Sequence, residues 1–149
     1  MKKESLLDSA ANLGPFSKQA VDEYAAKTDK LVNQINTIML ERSDINTMVG
    51  STNLEMMKDN HANHARFILS IMDNFNKDVL VETILWVFRA YRSHGFASTY
   101  WAAQLNAWIT ILKEELSKDT FDQVYPLYNW MQVNIPVFDA LSEKALRMP

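Results

Sequence analysis

Apolar residues recur along this chain at helical spacing, and strand-like alternation is absent. Residues 1–13 carry Leu6, Leu7, Ala10 and Leu13 on one side, which predicts a short helix or ordered arm. Gly14-Pro15 breaks it, and Pro15 suits the first turn of the next helix. From Phe16 to Leu40 a stripe of Val21, Tyr24, Thr28, Leu31, Ile35, Ile38 and Met39 faces a core, with Lys, Asp, Gln and Asn opposite. Ser43 and Asp44 can cap a short continuation through Met48 and Val49, which Gly50 ends. Thr52 and Glu55 have capping-box spacing and open a helix to about Phe75. Its stripe is Met57, His61, His64, Phe67 or Ile68, Ile71 and Phe75, so two histidines point inward.

After a loop and N-cap at Asn76-Lys77-Asp78, the segment from Val79 to Ser93 is apolar over most of its circumference. Such a helix is expected to be central, or to meet a second subunit. Ser93-His94-Gly95-Phe96 predicts a tight corner, with Gly95 in the left-handed turn. Ser98 or Thr99 would cap the next helix, which carries Trp101, Leu105, Trp108, Ile109 and Leu112. Asp119 or Thr120 would start the last one, where Pro126 and Pro136 predict kinks or a split. No internal repeat and no domain linker is visible. The expectation is a single all-α domain over residues 1–149, a bundle of about six helices.

Composition narrows the chemistry. A chain of 149 residues can bury a full core without staples. It has no cysteine, which excludes disulfides, thiolate zinc sites, iron–sulfur clusters and a cysteine nucleophile. Lys and Arg number 15 against 18 Asp and Glu, a net charge of -3 with no basic stripe, so no nucleic-acid partner is expected. No apolar run approaches the ~18 residues of a membrane span, and no signal-like segment follows Met1-Lys2-Lys3. The expected setting is soluble and cytoplasmic. No phosphate loop, Gly-x-Ser-x-Gly elbow or nucleophile–base pair occurs, so no enzyme is expected.

Five residues are candidates for a pocket. His61 and His64, three apart, could share a site, but no Glu-x-x-His accompanies them, and a metal is not expected. The plainer reading is a hydrogen-bonded core histidine with a second at the rim. His94 could be a ligand, or a histidine placed at the negative end of a helix. Arg89 and Arg92 flank Tyr91; Arg89 has Glu82 two turns away as an ion-pair partner, or could meet an anionic ligand group in a pocket. The aromatic second half and eight methionines imply an irregular, pliable interior.

One resemblance spans most of the chain. His94-Gly95-Phe96, then Tyr100, then Leu112-Lys113-Glu114-Glu115-Leu116, then Asp119-Thr120 and Tyr128 resemble the F–G–H segment of bacterial globins. The helix from Asn53 to Phe75 would be E, and that from Phe16 to Leu40 would be B. Haem globins of this type place a proximal histidine before the tyrosine that Tyr100 matches; the corresponding place here is Ala90, between Arg89 and Tyr91. The chain is therefore more similar to the non-haem globin sensor domains at the N-termini of stressosome RsbR-type proteins. That resemblance implies a bacterial stress-signalling domain that forms a homodimer, communicates with a signalling partner or output domain, and needs no haem. An apolar ligand such as a fatty acid would take haem's place. Two other readings stay open: a haem-binding gas or redox sensor using His94 or His61 and His64, and a helical adaptor with no small ligand.

Overall fold

The structure is a computed structural model describing residues 3–147, with side chains described through Lys144. Among the described residues there are eight helices and no strand. They are α1 (Lys3–Ala10), α2 (Lys18–Leu40), α3 (Ile45–Val49), α4 (Leu54–Asp73), α5 (Lys77–Ser93), α6 (Ser98–Glu115), α7 (Lys118–Val133) and α8 (Ile135–Arg147). The all-α class is as expected; the count of six is not. The stretch after Leu40 makes its own helix, α3, and the last helix splits at Asn134. Pro136 lies in the first turn of α8, where its missing N–H costs little. Pro126 sits on an exposed face of α7, which runs on past it.

The centre is α6 laid across α2 and α7, with α4 against α2 and touching α6 through Asn60 and His64. Trp108 of α6 is wholly buried, as are Tyr24, Leu31, Ile35 and Met39 of α2. Val124, Leu127 and Tyr128 of α7 complete the same core. Ile38, assigned to the α2 stripe, is instead exposed, and Ala20 is buried at its start.

Helix ends show where local signals competed. Ser17, not Pro15, begins α2: its hydroxyl accepts from the Ala20 N–H at 3.1 Å. The Thr52–Glu55 box does not form, because Asn53 takes the cap position. The Asn53 amide instead donates to the carbonyls of Val49 and His94, each at 2.8 Å, and joins α3 to the end of α5. Asn76 caps α5 as expected, accepting from the Asp78 and Val79 N–H groups. Neither Ser98 nor Thr99 caps α6; Ala97 holds that place, and its N–H donates to the Met48 carbonyl at 2.7 Å.

Ser117, rather than Asp119 or Thr120, caps α7. Glu23 of α2 reaches this corner and accepts from the Ser117 N–H and hydroxyl and from the Thr120 hydroxyl, at 2.6, 2.7 and 2.6 Å. Burial alone would raise its carboxyl. The bonds from Thr120, Lys27 and Ser117 outweigh burial and bring it down to about 2.

The helix from Val79 lies to one side of the core, so the first of its two expected placements, at the centre, does not hold. The close backbone approaches of α5 are to α8 and α1. Leu80, Val81, Ile84, Leu85 and Phe88 are buried, while its outer side leaves Val79 49% and Trp86 60% exposed among the described residues. Ionic ties hold its flanks: Lys3 to Glu82, and Arg92 to Asp139 of α8.

The corner after α5 is a full Schellman turn. Phe96 N–H bonds the Tyr91 carbonyl at 3.1 Å and Gly95 N–H the Arg92 carbonyl at 3.0 Å. The rings of Tyr91 and Phe96 meet edge-on at 5.0 Å. Gly95 has φ +94, and a Cβ there would meet nothing within 4 Å. The cost of a side chain at this position is therefore backbone conformation alone. Gly95→Ala is expected to lose about 1 kcal/mol in urea unfolding. An unchanged midpoint would show that the corner relaxes without cost.

Candidate functional site

Where α5 stands off from α4 and α6, a cleft of about 230 Å³ opens. That exceeds an engineered benzene cavity of about 150 Å³ and falls below the roughly 300–1,000 Å³ of drug-sized pockets. Ile84, Val87 and Phe88 of α5 form one side and Trp101 and Leu105 of α6 the other. Met131 and Phe138 lie at its α7 and α8 edges, and the exposed Trp86 borders it. Phe88 stacks on Trp101 with ring centroids 4.7 Å apart. The α4 wall is mixed: it presents Asn60, Asn63 and His64 beside Phe67.

His64 is held from behind. Its Nε2 lies 2.8 Å from the Tyr128 hydroxyl, which lies 2.8 Å from the Tyr24 hydroxyl. The chain of bonds thus links α4, α7 and α2. The imidazole packs against Trp108 at 4.8 Å and keeps a partly exposed edge toward the cleft. His61 is fully buried behind it. Its Nδ1 lies 2.6 Å from Asn36 Oδ1, so Nδ1 donates and carries the proton, and Nε2 has no partner. Asn60 Oδ1 accepts from the Tyr100 hydroxyl at 2.7 Å and from Gln104 Nε2 at 2.9 Å, so the Asn60 NH₂ is turned away from both.

These groups are neutral. Burial lowers His61 from 6.5 to about 4 and His64 to about 3, with His61 adding to the second shift. The open edge of His64 moderates its own shift, but both move the same way. Burial also raises the phenols of Tyr24, Tyr100 and Tyr128, and that of Tyr91 against the opposing Asn60 and Asn63 amides.

The five candidates therefore separate. His64 and Tyr91 line the cleft. His61 supports the wall from inside. His94 is exposed at the α5 corner, where its carbonyl accepts from Asn53. Arg89 does not line the cleft, and its expected partner Glu82 pairs with Lys3 instead. The donor set does not fit axial ligation of haem. His64 Nε2 is occupied by Tyr128, α5 presents no histidine, and His94 lies outside the cleft. Among the described residues no group of three or more His, Cys, Asp or Glu could hold a metal ion. No helix there is long and apolar enough to cross a membrane.

Sequence patterning missed Asn60, Asn63, Gln104, Tyr24 and Tyr128 as site residues. Asn60 and His64 are one turn apart on α4, and that amide–imidazole spacing was the available signal. Comparison with protein-family models, curated proteins and solved structures finds no match to this chain.

Two buried neutral histidines make stability depend on pH. Their folded values lie below 6.5, so the unfolded chain binds protons first, and stability is lost as pH falls from 6.5 toward 4 and 3. By pH 5, with most carboxylates still ionised, the expected loss is about 1–2 kcal/mol per histidine. Urea unfolding across this range should show the slope. His64→Phe should reduce the slope whatever it does to stability at neutral pH. An equal slope in the variant would show that His64 takes up its proton as readily in the folded protein as in the unfolded chain.

Proposed function

We propose that this chain is a non-catalytic sensor domain of the globin-like type, regulating a bacterial signalling pathway through a small apolar ligand held beside α5. The observation that carries this reading is the cleft: an aromatic and aliphatic pocket with its polar groups mostly on the α4 side, at the position where the globin resemblance would put a ligand between its E- and F-like helices. An adaptor with no ligand gives no reason for α5 to stand off from α4 and α6. A haem sensor would need an axial ligand that the cleft does not offer.

Output would pass through α5 and α8, which pack closely and are joined by Arg92 and Asp139. The same helix carries Trp86 and Val79 outward, and this apolar face suits the homodimer that the resemblance implies. The signalling partner or output domain would then read the dimer rather than the cleft itself.

The test is titration with small apolar molecules, followed by tryptophan fluorescence, because Trp86 and Trp101 both border the cleft. Saturable quenching is expected, with affinity weakened at least tenfold in Val87→Phe, which fills the space. Native mass spectrometry of the purified protein should find a dimer. A Soret band would favour the haem reading. Absence of any saturable ligand, with none carried through purification, would leave the adaptor.

A further inference from the structure

We infer that the cleft selects an uncharged molecule bearing a hydrogen-bond acceptor, a carbonyl or hydroxyl oxygen, bound head-inward on the Nδ1–H of His64. This rests on the reading of the cleft as a ligand site. It differs from an ionised fatty acid, the ligand that the resemblance alone suggests.

The direction of the buried chain carries the inference. Among the described residues, the Tyr24 hydroxyl has only Tyr128 as a partner. If His64 Nε2 donated to Tyr128, Tyr128 would donate to Tyr24, and the Tyr24 hydrogen would be buried with no acceptor. An unmade bond of that kind is costly. Run the other way, Tyr24 donates to Tyr128, Tyr128 donates to His64 Nε2, and every hydroxyl hydrogen is used. A neutral imidazole that accepts at Nε2 carries its proton on Nδ1. Nδ1 has no protein partner among the described residues, and the partly exposed ring lines the cleft.

The neighbouring wall agrees. Asn60 spends its oxygen on Tyr100 and Gln104, and Asn63 spends its oxygen on Arg66. Both amides face the Tyr91 hydroxyl with their NH₂ groups, and each NH₂ has a second hydrogen to offer. The wall is rich in donors and suits an acceptor.

Charge argues against an ionised head. No Lys, Arg, Asp or Glu lines the cleft. The charge acting on Tyr91 is that of Asp59, which is negative. Arg66 is exposed and reaches the wall only through Asn63; Arg89 lies off the lining. A carboxylate buried there would lose its water without gaining a cation.

The experiment compares four molecules of equal medium chain length near neutral pH: a 2-ketone, a primary alcohol, an alkane and a carboxylate. The ketone and alcohol are expected to bind about tenfold tighter than the alkane, the worth of one net hydrogen bond. The carboxylate should bind more weakly than the ketone. In His64→Leu the ketone-to-alkane ratio should fall toward one. In the unmodified protein, ¹⁵N-histidine NMR should show the His64 proton on Nδ1, a readout that needs no variant to fold. Equal binding of ketone and alkane, tightest binding of the carboxylate, or a proton on Nε2 each overturns the inference and leaves the ligand site standing. Binding of none of the four overturns both.

Discussion

Tyr128 has to be hydrogen bonded on two sides at once, and much of the interior is arranged to allow it. Its hydroxyl is wholly buried on α7, between Tyr24 of α2 and His64 of α4. Leaving either contact unmade would strand a polar atom away from water. Three helices are thereby fixed in rotation about their own axes, which apolar packing alone does less sharply. Trp108 fills the space beside the imidazole and closes this point from α6. The core is held by area; its orientation is held by these two bonds.

The helices were legible because amphipathic spacing survives whatever packs against it. Gly95 and Asn76 were legible because each does something few other residues do: one takes a positive φ, the other offers a short acceptor to free N–H groups. Caps failed where two candidates stood side by side. Thr52 and Asn53 compete for one place, and the winner is set by a carbonyl 41 residues away, that of His94. Ser117 prevails over Asp119 and Thr120 because Glu23 arrives from another helix. Local sequence carries no trace of either partner.

The α5 helix misled for a different reason. Apolar composition reports that a surface avoids water, not what covers it. Here one part faces α8, another lines a cleft and a third, around Trp86, faces outward. The site was half legible by the same logic. The spacing of His61 and His64 put both on the inner face, yet it could not say that one backs the wall and the other opens onto it. The amides of Asn60 and Gln104 are polar residues in buried positions, and polarity in a stripe reads as noise until its partners are known.

The ends of α5 are secured unequally. At its C-terminal end the Schellman turn, the Asn53–His94 bond and the Ala97–Met48 bond lock it to α3 and α6. Its N-terminal half has no such backbone bonds: it rests on packing, with Leu80 and Val81 wholly buried, and on the partly exposed ion pair of Lys3 with Glu82. Were α5 to tilt about the Gly95 corner, its length of about 25 Å would make it a lever. A wedge near Phe88, close to that corner, would be magnified toward Val79, which is half exposed.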